Sequence, residues 1–109
     1  MPDARQSIGS PSLSPDGKYL VFNTYGDING FGAEDIYIAK REGLAWSRAI
    51  NIGEQVNTKD QECSPKFSPD GQRLYFSRAK VLDDGDDGQW DLYYIETTLL
   101  DLANLFNKL

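Results

Sequence analysis

Ser10-Pro11-Ser12-Leu13-Ser14-Pro15-Asp16-Gly17-Lys18-Tyr19-Leu20-Val21-Phe22-Asn23-Thr24 returns 54 residues later as Ser64-Pro65-Lys66-Phe67-Ser68-Pro69-Asp70-Gly71-Gln72-Arg73-Leu74-Tyr75-Phe76-Ser77-Arg78, with 8 of 15 positions identical. At an offset of 56, Asp35-Ile36-Tyr37-Ile38-Ala39 recurs as Asp91-Leu92-Tyr93-Tyr94-Ile95, so the unit is of order 55 residues and the second copy carries a loop two residues longer. A period of that size built from short apolar segments reads as a solenoid or a propeller. Each Pro-Asp-Gly is a turn: proline sets φ near −65°, aspartate bonds back to nearby amides, and glycine accepts positive φ where the chain reverses.

The flanking segments are strands. Tyr19-Leu20-Val21-Phe22 is rich in aromatic and β-branched residues, too short for a helix, and poor in strict alternation, as expected of a strand buried on both faces. A third strand covers residues 36–39 and 92–95, and a fourth, in the first unit alone, covers 46–52 after the turn at Arg41-Glu42-Gly43. The polar stretch 51–62 links the units and is tacked onto the core by Ile52 and Val56. After Ile95 the pattern changes: Leu99, Leu102, Leu105, Phe106 and Leu109 recur at helical spacing, with Thr98 as N-cap and Asp101 at the third helical position, which predicts a helix over 99–107. The expected organisation is one all-β domain over 1–109, with units at about 8–53 and 62–96 and a short C-terminal helix.

Composition narrows the function. With 17 acidic against 11 basic residues and a net charge of −6, the chain lacks the basic surface that nucleic acid requires. Histidine is absent, which removes the commonest neutral-pH acid–base group and metal ligand. The single cysteine, Cys63, allows no internal disulfide and is expected as a half-buried small hydrophobe. No apolar run is long enough to span a membrane, and the opening Met1-Pro2-Asp3-Ala4-Arg5 has no signal-peptide core, as expected of an exported domain written without its leader.

Two loops are candidate sites. Residues 83–91 place Asp83, Asp84, Asp86, Asp87 and Asp91 within nine positions, an oxygen-rich turn of the kind calcium uses, although neither this loop nor 26–35 has EF-hand spacing. A plain solvated hairpin connection, with Asp35 and Asp91 bonding turn amides and no cofactor, is the competing reading. Glu34 with Asp35, or Asp60 with Glu62, offers the paired carboxylates of a glycosidase, but 17 acids supply such pairs by chance. The serines lack both a histidine base and a Gly-x-Ser-x-Gly elbow. Tyr25, Phe31 and Trp90 could line a binding surface, while Trp46, Trp90, Tyr25, Tyr37, Tyr93 and Tyr94 are collectively expected to serve mainly as core.

The pattern Ser-Pro-x-aromatic/Leu-Ser-Pro-Asp-Gly-x-x-Leu-x-Phe followed by Asp-Ile/Leu-Tyr resembles the Pro-Asp repeat of TolB-like β-propellers, the WD40-like repeats of bacterial envelope proteins. The linker Asn51-Ile52-Gly53-Glu54-Gln55-Val56-Asn57-Thr58 with Glu62 is similar to the version found beside peptidoglycan-associated, OmpA-like domains. The resemblance implies four-stranded antiparallel blades whose first two strands are joined through Pro15-Asp16-Gly17 and Pro69-Asp70-Gly71. It also implies a ring of six or so blades, of which this chain supplies two, an incomplete propeller. The expected function is a non-enzymatic interaction module of the periplasm or cell envelope, binding a protein or cell-wall component and self-associating or lacking its remaining blades. A part of a hydrolase, glycosidase or peptidase-associated, is the alternative.

Overall fold

The computed structural model describes residues 7–25, 34–81 and 87–106, with the backbone alone at 7–10, 25, 81, 87 and 103. These form one mixed sheet of eight strands, β1 (Ser7–Leu13), β2 (Tyr19–Tyr25), β3 (Glu34–Glu42), β4 (Ala45–Trp46), β5 (Ile50–Asn51), β6 (Gln61–Phe67), β7 (Arg73–Val81) and β8 (Asp87–Glu96), followed by the helical turns α1 (Thr97–Leu100) and α2 (Leu102–Leu105). The fold is all-β with a short helical C-terminal segment. Strands β1-β2-β3 and β6-β7-β8 are antiparallel triplets, joined by one parallel pair between Glu34 and Gln61.

The two triplets share a register. Leu13 pairs with Leu20 and Ser12 with Val21, and 54 residues on Phe67 pairs with Leu74 and Lys66 with Tyr75. Thr24 opposite Asp35 becomes Arg78 opposite Asp91, with the offset rising to 56 across the third strand. Both first strands shift register at the same place, between Gly9 and Ser12 and between Cys63 and Lys66. The repeated Ser-Pro sits in these bulges, where a residue without an N–H costs no ladder bond, and Ser64 takes a left-handed φ of 53°.

The turns also agree. Gly17 N–H donates to Ser14 O at 2.9 Å and Ser14 Oγ to Asp16 Oδ1 at 2.6 Å, matched by Gly71 to Ser68 at 2.9 Å and Ser68 Oγ to Asp70 at 2.6 Å. Both glycines stand at φ 74°, where a side chain would be strained. Hydroxyl donation, then the Lys18 or Gln72 amide, holds each aspartate below its ordinary value.

One main core lies between the triplets. Val21, Ile36 and Ile38 from the first meet Phe67, Leu74 and Phe76 from the second, and Ile52 and Val56 of the linker complete it. Phe22 and Ala39 pack with Ala49 on the other face of the first triplet. Residues 21–24 are therefore buried on both sides of the strand, as the lack of alternation suggested.

Two expectations, the fourth strand and the C-terminal helix, need correction. The fourth strand is not continuous: Ala45–Trp46 pairs with Arg41 and Glu42, Ile50–Asn51 pairs with Tyr37 and Ile38, and one extra residue separates the registers. Ser47 accounts for the break, because its Oγ accepts the Lys40 amide at 2.9 Å in place of a regular ladder partner. The helix over 99–107 is instead two single turns divided at Asp101, whose φ of 49° is left-handed, and Thr98 does not cap it. Thr97 anchors the start by donating its N–H to Gln72 O and its hydroxyl to Gly71 O. The break changes which leucines face inward: Leu100 is buried, Leu102, Leu105 and Phe106 pack on the main core, and Leu99 points out.

Candidate functional site

The polar side chains concentrate where the linker crosses the triplets. Asn57, buried, accepts the Ile36 amide through Oδ1 at 2.8 Å and donates Nδ2 to Ile36 O at 2.9 Å and to Asn51 Oδ1 at 2.7 Å. It acts as a piece of strand, satisfying both backbone groups of one β3 residue. Asn51 in turn donates to Asp35 Oδ2 at 3.2 Å, so Asp35 belongs to this network. Next to it, Glu62 is fully buried and accepts from Thr58 N, Thr58 Oγ1 and Arg78 Nε at 2.9, 2.7 and 3.0 Å. Arg78 also donates to Val56 O at 2.8 Å and stacks over Phe76 and Tyr93. Burial raises the Glu62 carboxyl above its ordinary value, with Thr58 and Arg78 opposing the rise. Every oxygen of Glu62 is engaged in holding the linker, which suits a structural ion pair better than an acid–base catalyst.

The two Pro-Asp-Gly turns meet through Pro15, Asp16, Asp70 and Gly71. Pro15 lies beside Gly71, and the two turns enclose with Tyr19, Phe67 and Leu102 a cavity of about 190 Å³. A second cleft, about 350 Å³, runs along the paired bulges and is lined by Pro11, Ser12, Ser64, Pro65 and Lys66. Of the acidic loop, Asp83, Asp84 and Asp86 lie outside the described residues, as do Phe31 and the side chains of Asp87 and Tyr25. Asp91 is exposed and accepts from Gln89 Nε2 at 3.3 Å. Among the described residues no three acidic or cysteine side chains form a group able to hold a metal ion. Cys63 is half-buried beside Ser64, as expected.

The aromatic residues depart most from expectation. Trp46, Trp90, Tyr93 and Tyr94 are not core but surface, with Trp90 39% and Tyr94 53% exposed. On β8, Trp90, Leu92 and Tyr94 share a face with Tyr75, whose ring meets that of Tyr94 at 5.8 Å. The repeat offset gives this face its meaning. Leu92 and Tyr94 stand where Ile36 and Ile38 stand in the first triplet, and those two isoleucines are fully buried. A face that is core in one unit is solvent-exposed in the other.

Sequence reasoning missed Asn57, Arg78 and the Ser-Pro bulges. Ser-Pro was visible as a repeated dipeptide inside a strand, a position where proline implies a bulge. Asn57 and Arg78 left no such signal, because their partners, the Ile36 backbone for one and Glu62 with Val56 O for the other, lie far along the chain. No protein-family model matches the sequence, and no curated protein matches it.

Proposed function

We propose that the chain is a non-enzymatic, protein-binding module of TolB-like propeller type, its two triplets being neighbouring blades, and that it works in the periplasm or cell envelope on a protein or cell-wall component. The blade reading is supported by the constant register of the triplets and by the way one face of the first packs against the opposite face of the second. The envelope assignment rests on the resemblance of the Pro-Asp repeat and linker. Self-association, or pairing with further blades, follows from the face that the second triplet leaves open.

The observation that carries the binding role is the apolar face of β8 on which Trp90, Leu92 and Tyr94 are all exposed. Contiguous apolar surface of this kind marks interaction sites, and aromatic side chains give large contact area at low entropic cost. A photoreactive residue replacing Trp90 should cross-link envelope proteins or peptidoglycan-associated material, whereas the same residue at Leu44, fully exposed on a tight turn, should not. Equal labelling from the two positions would remove the reading.

A further inference from the structure

We propose that β8 is a homodimer edge, on which a second copy of the chain lays its own β8 antiparallel about a two-fold axis through Leu92. The inference rests on the self-association reading above and names its surface.

Hydrogen-bond parity comes first. Thr97 N–H donates to Gln72 O, so in β8 the alternate residues counted from Thr97 bond inward to β7, and Trp90, Leu92, Tyr94 and Glu96 present N–H and C=O to the open side. The first triplet shows what such groups take. The corresponding groups of Ile36 are met by Asn57 and the Ile52 amide, and those of Lys40 by Ser47. Among the described strands β8 pairs with β7 alone.

Charge then selects the register. Outward groups must meet outward groups, and only two such arrangements overlap nearly the whole of β8. An axis through Asp91 sets two carboxylates directly opposite each other, which is destabilising. An axis through Leu92 opposes no like charges: Leu92 meets Leu92, Trp90 meets Tyr94 of the second copy, and Asp91 meets Tyr93. That pairing also brings the exposed apolar strips of both copies side by side on one continuous sheet. A long, apolar, unpaired edge is the form that associates with its like.

Light scattering after size exclusion at micromolar concentration should give twice the 12.2 kDa chain mass. Leu92→Lys places two ammonium groups across the axis and should weaken the dimer at least tenfold. Leu92 is 71% exposed, so the substitution leaves the fold intact, which circular dichroism checks. In a Cys63→Ser background, Leu92→Cys should form an intermolecular disulfide on mild oxidation, because Cα atoms about 5.5 Å apart in a hydrogen-bonded pair fall within disulfide reach. Leu44→Cys in the same background should not. A dimer indifferent to Leu92→Lys, without the disulfide at 92, would overturn the assigned surface while leaving self-association standing. A monomer would overturn both.

Discussion

Strands β3 and β8 occupy equivalent places in the two triplets and have opposite fates. Residues 34–39 of β3 are almost entirely buried, covered at the edge by β5 and Asn57 and on one face by the second triplet. Residues 89–94 of β8 are exposed throughout. The sequences at the aligned positions are both apolar, Ile36-Tyr37-Ile38 against Leu92-Tyr93-Tyr94, so composition does not account for the difference. The path of the chain after each strand does: a hairpin and polar linker return along β3, whereas after β8 the chain turns away at Thr97 to pack below the sheet. Burial here is a property of the neighbouring segment more than of the strand.

The comparison is broken most directly at Asn57. Asn57→Ala leaves the buried Ile36 amide without an acceptor and should cost about 3 kcal/mol in urea denaturation. Amide exchange at Ile36 should then rise toward the rate of an unprotected amide, and continued protection at Ile36 would show that β5 alone covers the edge. The C-terminal segment is tested next. Leu100→Ala should cost about 2–3 kcal/mol by opening a cavity in the main core, while Leu99→Ala should stay within about 0.5 kcal/mol. Equal losses would mean that the helical turns pack as one amphipathic helix after all.

The smallest effect lies where the triplets agree. Asp16 and Asp70 are held below the ordinary aspartate value, so each contributes stability that is complete above it and lost as pH falls through the lowered folded value. Glu62, raised by burial, acts in the opposite sense, its contribution being complete below the ordinary glutamate value and lost as pH rises through the raised one. Asp16→Asn and Asp70→Asn should therefore each flatten the acid limb of the thermal midpoint below about pH 4, and by the same amount. A clear inequality between them would show that the two turns are not equivalent in solution.

Where local chemistry decides, the sequence was readable. Pro-Asp-Gly specified both turns, since proline, aspartate and glycine each act within their own few residues. The apolar runs marked the strands, and Ile52 and Val56 marked the linker's anchor points. Boundaries set by one side-chain bond or one backbone angle were not readable: Ser47 taking the Lys40 amide, or Asp101 turning left-handed above the core. The aromatic surface was misjudged for a related reason, because Tyr94 and Ile38 look alike until one knows which of them is covered.

The shared register carries a risk during folding that the ion pair at the junction answers. Two hairpins with matching turns, bulges and rungs can exchange strands, so that β1 closes on β7, or β6 on β2, without any mismatch of length. Glu62 lies opposite Arg78 on the rung where the first hairpin places Ile8 opposite Thr24. In an exchanged hairpin the arginine would face Ile8 and the carboxylate Thr24, each charge losing its counterion as the core closes, a loss worth about 3–5 kcal/mol. Correct partners are thus distinguished by one rung of charge, and strand identity is encoded where strand shape is not.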